Sequence, residues 1–89
     1  MKIEVLFFGQ LRELTAVHDS TFVIKDNARL VDLMEHLGEE YGAAFRQQVG
    51  SIKSLRILIN GQEYMLLGGM EAPLKDGDTV VLLPPIFGG

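Results

Sequence analysis

The residues best placed to do chemistry are the last two. The run Leu82-Leu83-Pro84-Pro85-Ile86-Phe87 is followed by Gly88-Gly89, and the chain closes there. A glycine pair is chemically useful at an end when the terminal carboxylate is the reactive group. Glycine has no side chain and adopts backbone regions closed to other residues, so it can thread a narrow channel. The Gly89 carboxylate can then reach a phosphate or a nucleophile held deep inside a partner. The plain alternative is a frayed end. At a glycine usage of about 7%, two closing glycines arise by chance in roughly 0.5% of chains. With the chain starting at Met1, the pair is read as the protein's own C terminus rather than a cloning scar. Residues 84–89 can reach about 20 Å when extended. Pro84-Pro85 is expected to hold the base of this flexible tail in polyproline II, which limits the entropy lost on capture.

Other chemistries lack their residues. There is no cysteine, which excludes disulfides, cysteine-ligated zinc, iron–sulfur clusters and a thiol nucleophile. His18 falls in a loop, and His36 lies about 110° from the centre of its helix stripe. Two separate histidines without a third ligand read as solvated side chains, and no metal site is expected. Asp76 and Asp78 flank Gly77 without the twelve-residue calcium pattern, and they read as turn residues. Gly68-Gly69 lacks a following phosphate-binding Lys-Ser/Thr. A net charge of −4 with scattered Lys and Arg argues against nucleic acid. The longest apolar stretch, residues 80–87, is broken by two prolines and is far short of a membrane span. No signal peptide is visible, so a cytoplasmic location is expected.

The elements that would position the tail follow from periodicity. Alternation over 2–8 predicts a strand with Ile3, Val5 and Phe7 on one side, ended by Gly9. A helical turn is expected at 10–14 and a second strand at 21–24. Asn27 is offered as a helix cap. Leu30, Leu33, Met34, Leu37 and Tyr41 give an amphipathic helix stopped by Gly42, with Gly38 as a weak point worth about 1 kcal/mol relative to Ala. Residues 43–53 read as either a short helix or an ordered loop. A strand over 55–60 meets Asn60-Gly61, a type I′ hairpin signal, and 62–66 should return antiparallel. The last strand is 79–83. One helix stripe needs a sheet to cover it, so the chain reads as an α+β, β-grasp domain. A mixed sheet of about five strands packs on one main helix. The first strand pairs antiparallel with the second and parallel with the last. Residues 1–83 form the domain and 84–89 the tail.

With Ile3, Val5, Phe7, Leu55, Ile57 and Ile59 facing the helix, Leu6, Phe8 and Leu58 face outward, and Val81 and Leu83 join them. Five outward apolar groups suggest an interface. The alternative is a register slip of one, which would swap every side chain, and Glu4, Arg56 and Asn60 on the same face argue against it.

Taken together, the opening Val5-Leu6-Phe7-Phe8-Gly9-Gln10-Leu11-Arg12-Glu13-Leu14, the Asn60-Gly61 hairpin, the turn Leu74-Lys75-Asp76-Gly77-Asp78-Thr79-Val80 and the Pro-Pro-x-x-Gly-Gly stop resemble a known family. The chain is similar, over essentially its whole length, to ubiquitin-like sulfur carriers of the MoaD type, the small subunit of molybdopterin synthase. The resemblance implies a carrier rather than an enzyme. The Gly89 carboxylate would be adenylated by a separate activating enzyme that uses ATP and Mg²⁺, and a sulfur donor would convert it to a thiocarboxylate. The large synthase subunit would receive Gly88, Phe87, Ile86, Pro85 and Pro84 in a channel and pass the sulfur to a pyranopterin. No cofactor is expected on this chain. Positions matching Phe8 and Leu83 contact partners in the family, and Arg12 is a candidate for an acidic partner residue, with a solvated side chain as its alternative. With no cysteine present, sulfur carried as an activated acyl group must sit on a carboxyl. Two departures stand out: Phe87 is bulkier than the small residue often found there, and Arg29 sits where the family commonly caps the helix with Thr. The rival readings are a protein modifier joined to lysines through Gly89, a thiamine-pathway carrier, which the ending fits less well, and a passive interaction domain.

Overall fold

The computed structural model describes residues 1–52 and 54–85. Alternating burial along Lys2–Phe7 (β1) sends Ile3, Val5 and Phe7 inward. Gly9–Thr15 forms a short helix (α1) and Asp19–Val23 a strand (β2). Leu30–Tyr41 (α2) and Ala43–Ser51 (α3) follow, then Arg56–Ile59 (β3), Gln62–Glu63 (β4), two 3₁₀ turns over Tyr64–Leu67 and Gly69–Glu71, and Thr79–Leu83 (β5). The strand order is β2-β1-β5-β3-β4. β1 runs antiparallel to β2 and parallel to β5, as the sequence predicts. This is a ubiquitin-like β-grasp sheet.

Leu30, Leu33 and Leu37 of α2 are fully buried in the same core as Ile3, Val5, Phe7, Ile57, Val80 and Leu82. Phe45 of α3 is buried as well, and its ring meets Phe7 edge-on at a centroid distance of 6.2 Å. Tyr41 joins them, with its ring 5.5 Å from Phe7. The stretch left open between helix and loop is therefore a helix, anchored by one aromatic side chain. Gly38 is buried under α3: a Cβ built there would lie 2.6 Å from Arg46 Nε. Its cost in helix propensity is offset by this close crossing.

Two expectations change. Asn27 is not the cap; it sits at φ 66°, and the N-cap of α2 is Arg29, whose backbone N–H donates to Asp32 Oδ2 at 2.8 Å. An acidic residue at the third helical position takes over from a capping side chain. The return strand over 62–66 shortens to Gln62–Glu63. Beyond it the period changes from two to three: Tyr64 and Leu67 pack against the core while Met65 and Leu66 stay exposed, as a 3₁₀ turn requires.

The turns fix where β5 lies. Lys2 N–H donates to Asp76 Oδ1 at 2.7 Å, and Gly77 N–H to the Lys2 carbonyl at 2.8 Å. Asp78 accepts from Lys75 N–H and from Asn60 Nδ2, each at 2.8 Å, and Asn60 Oδ1 accepts from Thr79 N–H at 2.9 Å. Asn60 and Gly61 both have positive φ, the signature of a type I′ turn. These bonds tie the start of β5 to β1 and β3, and so set the register of the last strand. Asp76 and Asp78 are turn residues, as expected.

Candidate functional site

Register places the outward side chains in one row. Leu6 of β1 pairs with Val81 of β5, and Val81 pairs with Leu58 of β3. All three are half-buried. The row is closed by acids: Asp19 stands opposite Leu6, and Glu63 opposite Leu58. One step toward the C-terminal end of β5, Leu83 pairs with Arg56. Phe8, 39% exposed, immediately follows β1 at the entry to α1. One step the other way the face is polar: Glu4 pairs with Thr79 and Thr21, and Thr79 Oγ1 donates to Glu4 Oε1 at 3.3 Å. The apolar character thus increases along β5 toward Pro84. Arg56 is not a free cation on this rim, since its Nε donates to Glu63 Oε1 at 2.7 Å. Leu6, Phe8, Leu58, Val81 and Leu83 are therefore brought together on one face, rimmed by Asp19, Glu63 and Arg56.

At the end of β5, Pro84 is buried and Pro85 half-buried. Pro84 packs over Gly9, where a Cβ would meet its ring at 3.5–3.8 Å. Sequence reasoning used Gly9 only to end a strand and missed this seat. The available signal was a glycine directly after Phe7-Phe8, at a point where the chain must reverse. Ile86, Phe87, Gly88 and Gly89 lie outside the described residues.

Arg12 is exposed on α1, but its guanidinium contacts His18 Nε2 rather than standing alone. His36 is half-buried, with its ring edge-on to Phe22 at 5.4 Å, so it is not simply solvated. Among the described residues no cluster of His, Asp and Glu could hold a metal ion, and no helix is long and apolar enough to cross a membrane. Burial raises the Tyr41 phenol above its ordinary range; a hydrogen bond from Ser20 opposes this and the Glu40 charge adds to it.

The geometry is that of a ubiquitin-like β-grasp protein whose apolar sheet face lies beside the end of its last strand. The chain belongs to the ThiS family, whose model matches residues 5–89. It is 35% identical over 89 residues to the molybdopterin synthase sulfur carrier subunit of Chlamydomonas reinhardtii, covering all of both chains. It is 36% identical over 92 residues to small archaeal modifier protein 3 of Haloferax volcanii, again over both full lengths. In fold it matches SAMP1 from Haloferax volcanii, with a TM-score of 0.83, 21% identity and full coverage of both chains. It also matches a chain in the complex of subunits 1 and 2 of molybdopterin-converting factor from Helicobacter pylori, with a TM-score of 0.66, 31% identity and full coverage of both.

Proposed function

We propose that this chain is a sulfur carrier that serves as the small subunit of a molybdopterin synthase, with Gly89 as the carrying residue. The observation that carries the reading is family membership running through Gly89, together with full-length identity to a sulfur carrier subunit. In the proposed cycle a Gly89 carboxylate oxygen attacks the α-phosphorus of ATP on an activating enzyme, and pyrophosphate leaves. Sulfide, as the sulfur donor, then attacks the acyl carbon and AMP leaves, so that one oxygen is replaced by sulfur and no change of oxidation state is needed. ATP and Mg²⁺ belong to the activating enzyme, and this chain supplies no catalytic side chain. The large synthase subunit would hold Leu6, Phe8, Leu58, Val81 and Leu83 and draw the residues after Pro84 into its channel. A mostly apolar patch with a charged rim suits such docking.

Removing Gly88-Gly89 tests the reading. The truncated chain should melt as the full chain does and still bind the large subunit, yet support no dithiolene formation in a reconstituted synthase. Retained activity would contradict the carrier role.

The identity to small archaeal modifier protein 3 favours one second reading, conjugation of Gly89 to target lysines after the same adenylation. Peptides bearing a Gly89-derived remnant on lysine in cell extracts would support it.

A further inference from the structure

The two edges of the sheet are treated differently. On one side β4 is only Gln62–Glu63 before the chain turns into 3₁₀ geometry, which blunts that edge. On the other side β2 runs five residues, Asp19–Val23, with no proline and with Val23 70% exposed. Hydrogen bonding shows which of its groups are free. Ile24 exchanges backbone bonds with Met1, at 2.9 and 2.8 Å, and the His18 carbonyl accepts from Phe7 N–H at 2.8 Å. Antiparallel alternation then turns the N–H and C=O groups of Ser20 and Phe22 toward β1, and those of Asp19, Thr21 and Val23 away from it. Among the described residues the outward set has no neighbouring strand, because β2 is the last in the sheet.

A groove runs beside this edge between β2 and α2, lined by Val23, Lys25, Asp32, Glu35, His36 and Glu39. Asp32 is already engaged, with the Arg29 N–H at 2.8 Å and Lys25 Nζ at 3.7 Å. Glu35 and Glu39 are exposed and have no ion-pair or hydrogen-bond partner among the described residues. Their i, i+4 spacing sets them about 6 Å apart along the helix. Alternate side chains on one face of a strand recur every ~6.6–6.8 Å. The two repeats match closely enough for an added strand to place consecutive same-face side chains against both carboxylates.

We infer that the β2 edge is a docking site for an extended, cationic segment of a partner protein. That segment adds a strand along Asp19, Thr21 and Val23 and sets alternate Lys or Arg side chains against Glu35 and Glu39. Main-chain bonds supply affinity in this mode, and the flanking charges supply selectivity. A second copy of this chain fits less well, because pairing two β2 edges would bring two acidic grooves together in a molecule of net charge −4. The site lies one strand beyond the Leu6–Val81–Leu58 row, so it would leave that face open.

The test is an amide NMR titration of the full chain with a capped hexapeptide of alternating lysine and valine, using the glutamate–valine peptide as control. The lysine peptide should shift the Asp19, Thr21 and Val23 amides and slow their hydrogen exchange; the control should not. Glu35→Gln combined with Glu39→Gln should weaken binding roughly fivefold, as expected for two exposed ion pairs. Thr21→Pro removes an outward N–H without touching the β1 ladder and should abolish binding while the remaining amide spectrum stays folded. Equal binding of both peptides, no edge shifts at millimolar peptide, or edge shifts that follow protein concentration without peptide would overturn the inference. The last result would mark the edge as a self-association surface.

Discussion

Pro84 rests on Gly9: the proline ring lies within 3.5–3.8 Å of where a Gly9 Cβ would stand, and Gly9 itself has φ +58°. The contact joins the end of the last strand to the start of α1. It holds Pro84, the residue after Leu83, on the domain against the glycine that follows Phe8.

Replacing Pro84 with Ala should therefore act on presentation more than on folding. Loss of part of a buried ring costs about 1 kcal/mol, a fall in melting temperature of roughly 4–8 °C for a domain of this size. The freed backbone must be ordered again on capture, so the KM of an activating enzyme for this chain should rise several-fold with kcat little changed. An unchanged KM would mean that the seat plays no part in presentation.

Leu58→Ser probes the outward row. Leu58 is half-buried and paired with Val81, so the fold should survive. Affinity for the large synthase subunit, read by calorimetry, should fall at least tenfold, about 1.4 kcal/mol, if the row is the centre of the interface. Wild-type affinity would place the interface elsewhere.

Phe45→Ala tests whether α3 is integral to the core. Phe45 is 1% exposed and packs on Phe7 and Tyr41. Truncation should cost about 3–5 kcal/mol in urea unfolding. A loss below 1 kcal/mol would mean that α3 is peripheral.

Tyr41 sets an alkaline limit. Burial holds its phenol above the ordinary value of 10.0, so the unfolded chain loses this proton first as pH rises. Its contribution is fully present below pH 10 and is lost as pH climbs through the folded value. Urea midpoints measured from pH 8 to 11 should fall at the alkaline end, and Tyr41→Phe should flatten that fall. A Tyr41→Phe profile parallel to wild type would assign the loss to other groups.

Much of this architecture was legible because local patterns and tertiary packing agree. The alternation of Ile3, Val5 and Phe7, the spacing of Leu30, Leu33 and Leu37, and Asn60-Gly61 each match one element in the structure. The outward row was readable for the same reason, since a period of two assigns both faces at once. What escaped depended on distant partners. Whether residues 43–51 coil into a helix turns on Phe45 finding Phe7, and Gly38 makes sense only beneath Arg46. The 3₁₀ turn after Glu63 is set by Tyr64 and Leu67 reaching the core, which strand propensity does not report. Gly9 as the seat of Pro84 joins residues from opposite ends of the chain, beyond any window of periodicity.

The most direct test of the central claim is high-resolution mass spectrometry of the full chain incubated with an activating enzyme, ATP, Mg²⁺ and a sulfur source. Exchange of oxygen for sulfur has nearly the nominal mass of methionine oxidation, and the chain has four Met, so fragmentation or thiol-selective alkylation must locate the change. The account predicts an ATP-dependent thiocarboxylate on Gly89. An unmodified Gly89, with the same enzyme active on a known carrier, would contradict it.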